Sequence, residues 1–122
     1  MTKIGFLGCG NMGGALARAA IKAVGAESIF VFDVDSKKIK AFADETDVNV
    51  ADAEYIVLNC DYIFLGVKPQ VMAEMLGDIK DILADKKPTL ISMAAGLTTE
   101  KIKEFAGDMP IIRIMPNTPV SV

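Results

Sequence analysis

The segment that most constrains the fold of this chain is a glycine-rich stretch between a short apolar run and a stretch with helical periodicity. A G-x-G-x-x-G pattern in this position is typical of a loop that binds the pyrophosphate of a dinucleotide, because its glycines permit a tight turn and a close approach of the backbone. The amides at the start of the following helix, together with the helix dipole, favour the anion. The expected cofactor-binding residues of this loop are Gly8, Cys9, Gly10, Asn11, Met12 and Gly13.

Short apolar runs alternate with amphipathic stretches along the rest of the chain. The runs lack a strict period of two, which is typical of strands that are covered on both faces of a parallel sheet. They lie at residues 3–8, 28–33, 62–67, 89–93 and 111–115, with a weaker candidate near 48–50. The alternation predicts one domain over residues 1–122. Its expected fold is α/β of the Rossmann type, a doubly wound, mostly parallel sheet with helices on both faces.

The stretches between the runs have the spacing of helices and recognisable ends. A first helix is predicted to end at Gly25, and Ser36 is predicted to cap a second. Pro69 suits the first turn of a third helix, and Thr98 or Thr99 suits the cap of a last one. The apolar stripes predicted to face the core comprise Met12, Ala15, Leu16, Ala19, Ala20, Ala23 and Val24 in the first helix and Met72, Met75, Leu76, Ile79 and Leu83 in the third.

Composition and charge exclude several classes of function. The 122 residues carry a formal net charge of -3 and have a pI near 4.9, so a basic face for nucleic acid is not expected. The chain has no histidine, and its carboxylates and two cysteines lack the spacing of metal ligands, so we expect no metal site. The absence of a signal peptide and of a long apolar run predicts reduced thiols, a cytoplasmic location and no membrane partner. Cys60 is expected in the core, and Cys9 is either a small space-filling residue or a reactive thiol at a helix start.

Asp33 closes the second apolar run, 20 residues after Gly13. A carboxylate in this position can accept hydrogen bonds from a ribose 2′-hydroxyl and would repel a 2′-phosphate, which favours NAD(H). Ser36, Lys37 and Lys38 follow closely and could hold a phosphate, although such residues also suit a helix cap and an exposed surface. NADP(H) therefore stays open beside NAD(H).

Three further segments follow predicted strands: Val67-Lys68-Pro69-Gln70, Ala94-Ala95-Gly96 and Met115-Pro116-Asn117-Thr118-Pro119. Together with the glycine loop, they resemble the N-terminal domain of pyrroline-5-carboxylate reductase in order and spacing over essentially the whole chain. The resemblance implies that residues of the first two segments contact the nicotinamide half of the cofactor, namely Val67, Lys68, Pro69, Ala94, Ala95 and Gly96. It also implies that Asn117 and Thr118 lie near the nicotinamide and the substrate entrance. Lys68, Asn117 and Thr118 would then position the reactants.

One residue departs from the family's pattern. Many members carry a small polar residue at the position of Asp33, and many prefer NADPH. The carboxylate at this position places the family's usual cofactor preference in question for this chain.

The resemblance also implies a reaction, in which hydride moves from the nicotinamide to the C=N carbon of 1-pyrroline-5-carboxylate and gives L-proline. A protonated imine is already electrophilic, which agrees with the absence of histidine. Family members continue into a helical C-terminal domain that forms the homodimer or higher homo-oligomer and supplies most of the substrate-carboxylate site. Since residues 1–122 do not include that domain, we expect this chain to bind the dinucleotide and to reduce the substrate poorly or not at all.

Two alternative functions stay open. Another imine or β-hydroxyacid oxidoreductase of the same superfamily would share the glycine loop but would not usually carry the Met-Pro-Asn-Thr-Pro segment. A non-catalytic dinucleotide-binding sensor would have no need of residues on the nicotinamide side, so the segments around Lys68 and Asn117 argue against it.

Overall fold

The computed structural model describes residues 2–8, 11–67, 69–92 and 98–114. These residues form alternating strands and helices, with one turn of 3-10 helix at Ala26–Ser28. The strands are β1 (Ile4–Leu7), β2 (Ile29–Phe32), β3 (Asn49–Val50), β4 (Tyr62–Leu65), β5 (Thr89–Ser92) and β6 (Ile111–Arg113). The helices are α1 (Asn11–Val24), α2 (Ser36–Thr46), α3 (Ala53–Asn59), α4 (Pro69–Asp78), α5 (Lys80–Lys86) and α6 (Thr99–Ala106). Each predicted apolar run, including the weak one near 48–50, contains a strand.

The six strands form one parallel sheet in the order β3-β2-β1-β4-β5-β6. The chain builds outward from β1 to β3, crosses back to β4, and then builds outward in the other direction. Because crossovers between parallel strands are right-handed, this reversal moves the later helices to the other face of the sheet. The strand order is that of doubly wound dinucleotide-binding sheets, so the predicted fold class is confirmed.

The sheet buries a hydrophobic core on each face, because successive side chains of a strand point to opposite sides. On one face, α1 and α2 pack against Phe6 and Val31. On the other face, α3 to α6 pack against Leu7 and Leu65. Phe6 also stacks on Phe64 of the neighbouring strand, with 4.7 Å between ring centroids. The two cores together hold β1 and β4 side by side in the middle of the sheet.

The face that α1 turns toward the sheet differs in part from the predicted one. Ala17 is fully buried. It contacts the core together with Leu16, Ala20 and Ile21, whereas Ala15, Ala19, Ala23 and Val24 of the predicted stripe are exposed. Alanines lie on the buried face of this helix (Ala17, Ala20) and on an exposed one (Ala15, Ala19), so apolar periodicity alone does not distinguish the two faces.

The predicted third helix is divided into α4 and α5. The five apolar residues predicted to face the core are all buried. The helix nevertheless stops at Asp78 and begins again at Lys80, because the backbone of Ile79 has φ -112° and ψ 12°. Gly77 lies just before the break and is a poor helix former, which weakens the end of α4.

Other predicted helix ends are confirmed. Gly25 directly follows α1, and Pro69 is the first residue of α4. Thr98 caps α6, where its side chain accepts a hydrogen bond from the Lys101 N–H at 3.1 Å. These signals act on adjacent residues, which explains why they could be predicted.

Two helix starts differ from the sequence-based expectation. Ser36 is the first residue of α2, and Asp35 is its cap, with Oδ1 accepting from the Lys38 N–H at 3.1 Å. The short helix α3 was not predicted. It begins after Asp52, whose Oδ1 accepts from the Tyr55 N–H at 2.7 Å. An aspartate three residues before the capped amide is the local signal that predicts both starts.

Cys60 is buried between β1 and α3, as predicted, with 5% of its surface exposed. Gly5 leaves the room for this packing, because a Cβ there would collide with Cγ2 of Ile56 and lie 3.2 Å from Sγ of Cys60. Burial raises the pKa of the Cys60 thiol from 9.0 to about 11; Lys3 lowers this pKa and Asp61 raises it, both to smaller extents. The thiol is therefore held in its neutral form.

We predict that the Cys60 thiol makes the folded state less stable at alkaline pH. Because its pKa is higher in the folded than in the unfolded state, its contribution is fully present below about pH 9 and is lost as the pH rises toward 11. At about pH 10 the loss in free energy of unfolding should be on the order of 1 kcal/mol. Urea unfolding at neutral and alkaline pH should show this loss in the wild type but not in Cys60→Ala. An identical pH dependence of the two proteins would contradict the prediction.

Candidate functional site

Three neighbouring strands end at the same level of the sheet. Leu7 of β1 is in register with Phe32 of β2 and with Leu65 of β4. The Gly8 N–H donates to the carbonyl of Phe32 at 2.7 Å, and the Gly66 N–H donates to the carbonyl of Leu7 at 2.8 Å. These hydrogen bonds extend the pairing one residue beyond the strands. The loops after β1, β2 and β4 therefore leave the sheet together.

Gly8 begins the loop after β1 in a conformation that favours glycine, with φ 95°. A Cβ at this position would lie 2.7 Å from the backbone nitrogen of Val67 and 2.8 Å from the carbonyl carbon of Gly66. Both the dihedral angle and the adjacent backbone therefore exclude a side chain. Gly8 thus has a conformation that is compatible with the tight turn predicted for the first glycine of the motif.

The loops after β1, β2 and β4, with the first turns of α2 and α4, enclose a cleft of about 370 Å³, here called the Gly8 cleft. Three of the predicted cofactor-binding residues line it, namely Gly8, Asp33 and Val67. The remaining lining residues are Val34, Lys38, Gly66 and Val71. The Gly8 cleft lies at the carboxyl edge of the sheet, where open α/β sheets bind their ligands.

Asp33 is held in a defined turn directly after β2. Its Oδ1 accepts a hydrogen bond from the Asp35 N–H at 3.0 Å, and its side chain is half-buried. Asp35 in turn caps α2. The carboxylate of Asp33 is thereby fixed at the wall of the Gly8 cleft, where an ionised carboxylate can accept hydrogen bonds from a ligand's hydroxyl groups.

Lys38 brings a positive charge to the same cleft. Its backbone N–H is bound by the Asp35 cap, which fixes the first turn of α2. Ser36 and Lys37 lie in that turn with exposed side chains and are not among the residues that line the Gly8 cleft. The structure thus brings Asp33 and Lys38 together, and a cofactor contact by Ser36 or Lys37 stays a prediction.

The other predicted site residues fall into two groups. Asn11, Met12 and Gly13 begin α1, directly after the glycine turn, and Pro69 begins α4. The predicted residues outside the described part of the chain are Cys9, Gly10, Lys68, Ala94, Ala95, Gly96, Asn117 and Thr118. Ser92, the fully buried last residue of β5, lies two positions before Ala94 in the sequence and is in register with Leu65 of β4.

A second cleft of about 280 Å³ is also present, and Val34 and Val71 line both clefts. We call it the α4 cleft. Its other lining residues are Phe32, Ala53, Glu74, Met75, Asp78 and Ile79. The sequence patterns did not indicate these residues as part of a site. The one sequence feature that could have indicated this cleft is Val34, an apolar residue between two aspartates. In the structure its side chain is 70% exposed.

The described residues include neither a cluster of metal ligands nor a helix that could span a membrane. Across residues 2–8, 11–67, 69–92 and 98–114, no group of three or more His, Cys, Asp or Glu side chains is placed to hold a metal ion. In the same part of the chain, no helix is both long enough and apolar enough to cross a membrane.

The chain is similar to pyrroline-5-carboxylate reductases in sequence and in structure. It is 39% identical to that of Escherichia coli (strain K12) over 124 residues, which covers 98% of this chain and 46% of the relative. The solved structure of a pyrroline-5-carboxylate reductase from Coxiella burnetii matches with a TM-score of 0.88 at 33% identity, over 97% of this chain and 45% of that one. The Plasmodium falciparum pyrroline carboxylate reductase, solved with NADP bound, matches with a TM-score of 0.79 at 34% identity, over 97% and 43%. The resemblance predicted from the motifs is confirmed.

These matches cover nearly all of this chain but less than half of each relative. The chain spans about half the length of the relatives it matches. A family model described as NADP oxidoreductase coenzyme F420-dependent matches residues 3–96, a range that contains every residue lining the Gly8 cleft. The chain therefore belongs to the NADP oxidoreductase, coenzyme F420-dependent, family.

Proposed function

We propose that residues 1–122 form the dinucleotide-binding domain of a pyrroline-5-carboxylate reductase, an oxidoreductase of proline biosynthesis. The observation that carries this proposal is the Gly8 cleft, where a glycine turn, the carboxylate of Asp33 and the loop after β4 meet at one edge of the sheet. The names of the relatives support the choice of reaction. The substrate-carboxylate site would come from a helical domain of the kind that the resemblance implies.

The Gly8 cleft fits the pyrophosphate of NAD(H) or NADP(H). A Cβ at Gly8 would fill the space against Val67 and Gly66, so the missing side chain leaves the backbone of the turn accessible to a phosphate group. The helix α1 begins at Asn11, and its first amides and its dipole favour an anion at this end. We therefore assign the pyrophosphate to residues 8–13.

The two halves of the dinucleotide then extend in opposite directions from the glycine turn. We assign the ribose of the adenosine half to Asp33, because its fixed carboxylate can accept hydrogen bonds from ribose hydroxyl groups. We assign the nicotinamide half to Val67, Lys68, Pro69, Ala94, Ala95, Gly96 and Asn117.

The bound, reduced nicotinamide supplies the hydride that converts the C=N bond of 1-pyrroline-5-carboxylate into the C–N bond of L-proline. The chain's own part is to bind the dinucleotide and to align its nicotinamide with the substrate, and alignment alone can lower a barrier by several kcal/mol. The chain has no histidine, and none is required if the imine nitrogen is protonated before it is reduced. Lys68, Asn117 and Thr118 have positioning roles in this scheme.

We further propose that NAD(H) is preferred over NADP(H). The carboxylate of Asp33 is fixed by the Asp35 N–H and would repel a 2′-phosphate on the ribose it binds. Lys38 lines the same cleft and would attract that phosphate, but its exposed, flexible side chain can also turn into solvent. The fixed negative charge therefore outweighs the mobile positive one.

A cytoplasmic location and a homo-oligomeric state belong to the same proposal. Cys60 is a free, buried thiol, which is typical of proteins kept in a reducing compartment. The net charge of -3 favours small-molecule ligands over nucleic acid. The homodimer or higher homo-oligomer rests on the family resemblance.

We predict that Gly8→Ala lowers the affinity for NADH by about tenfold or more, because the added methyl group must displace the backbone at Val67 and Gly66. Gly77→Ala is the matched control. It adds the same methyl group in α4, where no described atom lies within 4 Å apart from the adjoining residues and the helix's own backbone, so the affinity of this variant for NADH should equal that of the wild type. Isothermal titration calorimetry with NADH measures all three proteins, and circular dichroism checks that they are folded. An unchanged affinity in a folded Gly8→Ala chain would contradict the pyrophosphate assignment.

Asp33→Asn should shift the ratio of NADPH to NADH affinity toward NADPH by about tenfold. The amide keeps the oxygen that accepts from the Asp35 N–H and removes the charge that repels a 2′-phosphate. Asp44→Asn removes an equal charge from the exposed side of α2, outside both clefts, and should leave the ratio unchanged. The preference for NAD(H) fails if the wild-type chain binds NADPH about tenfold more tightly than NADH.

The 122-residue chain should bind NADH and yet reduce 1-pyrroline-5-carboxylate slowly or not at all. Joining it to the remaining part of the Escherichia coli relative should produce rapid reduction, followed as the loss of NADH absorbance. The same fusion with Gly8→Ala serves as the control and should be slow.

Rapid turnover by the 122-residue chain alone would contradict the proposed division of labour between two domains. A folded fusion that binds NADH but prefers other imines or β-hydroxyacids would contradict the proposed substrate.

A further inference from the structure

The turn between β2 and α2 contains two hydrogen bonds that meet at one residue, Asp35. The Asp35 N–H donates to Oδ1 of Asp33 at 3.0 Å, and Oδ1 of Asp35 accepts from the Lys38 N–H at 3.1 Å. Asp33 and Lys38 both line the Gly8 cleft, whereas Asp35 is exposed and is not among its lining residues. Asp35 therefore connects the two charged residues of the cleft from outside it.

The backbone of Asp35 is fixed by its role as the cap of α2. Its φ of -88° and ψ of 95° are extended, as is usual for a residue that caps a helix start. Its carbonyl accepts from the Ile39 N–H at 3.1 Å, and its carboxylate accepts one of the first amides of the helix, which have no partner inside the helix. Ile39 is buried in the core, so the direction of the Asp35 N–H is tied to a helix that core packing holds in place.

This fixed N–H determines how much freedom the Asp33 carboxylate has. Asp33 lies in a turn, where its side chain would otherwise be free to rotate about two bonds. A hydrogen bond from a backbone amide to an ionised carboxylate is stronger than one between neutral groups, so it holds the side chain against this rotation. The negative charge of Asp33 thus stays at the wall of the Gly8 cleft as long as the Asp35 N–H keeps its direction.

Lys38, the cation of the same cleft, is fixed only at its backbone. The ion pairs made within the described part of the chain are Arg18–Glu45, Lys101–Glu104 and Lys103–Asp108. The Lys38 ammonium is in none of them, and it ends a flexible four-carbon chain. A 2′-phosphate on a ribose bound by Asp33 would therefore meet a fixed negative charge and a mobile positive one.

We propose that Asp35 is a positioning residue for the choice of cofactor, an inference that rests on the function proposed above. Asp35 acts through Asp33, because its cap holds the N–H that keeps the Asp33 carboxylate in the cleft. Once the cap is lost, the Asp33 carboxylate can turn into solvent, where water and salt weaken its repulsion of a phosphate. The preference against NADP(H) then decreases although Asp33 itself is unchanged.

A direct effect of the Asp35 charge is the alternative to this positioning role. The Asp35 nitrogen lies 3.0 Å from Oδ1 of Asp33. The Asp35 carboxylate is therefore within the range of about 8 Å over which charges interact at physiological salt. The two explanations differ in what they require of residue 35. A positioning role requires an oxygen that caps α2, whereas a direct effect requires a negative charge.

The test measures the ratio of NADPH to NADH affinity in two variants by isothermal titration calorimetry. Asp35→Ala removes both the cap and the charge, and Asp35→Asn removes the charge but keeps a cap oxygen, since asparagine caps helices as well as aspartate does. Asp35→Ala should shift the ratio toward NADPH by about fivefold, and Asp35→Asn should shift it by less than about twofold. Equal shifts in the two variants, or no shift in Asp35→Ala, would overturn the positioning role.

A second comparison asks whether Asp35 acts through Asp33. In a chain that already carries Asp33→Asn, no charge is left for the Asp35 N–H to hold in place. Asp35→Ala should then change the ratio by less than about twofold, because two residues that act as one unit have effects that do not add. A full fivefold shift in this background would contradict the inference.

Asp52→Ala is the matched control for loss of a helix cap. Asp52 caps α3 with the same geometry, its Oδ1 accepting from the Tyr55 N–H at 2.7 Å, and it lines neither the Gly8 cleft nor the α4 cleft. This variant should keep the wild-type ratio, and a shift equal to that of Asp35→Ala would overturn the inference. Circular dichroism checks that each variant is folded. If Asp35→Ala does not fold, Asp35→Gly takes its place, because glycine also lacks the cap oxygen but costs a helix start little.

The possible results separate this inference from the proposed function. If the folded wild-type chain binds neither dinucleotide, the proposed function fails and the inference fails with it. If the wild type binds NADH and Asp33→Asn shifts the ratio while Asp35→Ala does not, the inference is overturned and the proposed function stands. A shift in Asp35→Ala that Asp35→Asn does not show, and that disappears in the Asp33→Asn background, is the result expected.

Discussion

The parallel pairing of β1 with a strand on each side is the interaction on which the candidate site depends. β1 is hydrogen-bonded to β2 along one edge and to β4 along the other, so the level at which it ends sets the level of both neighbouring loops. The Gly8 N–H and the Leu7 carbonyl carry this pairing past the last strand residues. Gly8 follows β1 with a positive φ, and α1 begins three positions later at Asn11. The Gly8 cleft occupies the space that these constraints leave open.

The helix α4 connects this cleft to the hydrophobic core. Met72 and Leu76 are fully buried against the sheet and hold the helix in place. The side of α4 next to that buried stripe supplies Val71 to both clefts and Glu74 to the α4 cleft. The surface that α4 presents to the two clefts is therefore positioned by core packing and does not depend on loop conformation alone.

Local signals explain most of what could be predicted from the sequence. Strands covered on both faces appear in the sequence as apolar runs, so their positions were predicted correctly. Pro69 and Thr98 determine the helix starts through residues next to them in the sequence, so the starts of α4 and α6 were also predicted correctly. The convergence of Gly8, Asp33 and Val67 followed from the rule that parallel strands end at one edge. The buried face of α1 could not be predicted, because alanines lie on both its buried and its exposed faces and the choice depends on the side chains of the sheet beneath it. The α4 cleft was missed for a related reason, since β2, α3 and α4 each contribute residues to it and no continuous segment contains its pattern.

The central place of β1 also makes one of its two pairings distant in sequence. The Lys3 N–H donates to the Asp61 carboxylate across 58 positions, and β4 can pair with β1 only after the intervening chain has closed into a loop. Contacts between such distant positions slow folding, because the entropy of loop closure is lost before the pairing is gained. During synthesis the pairing of β1 with β4 cannot form until β4 has been made. The glycine turn meets its opposite wall at Val67 only when more than half of the 122 residues have been made.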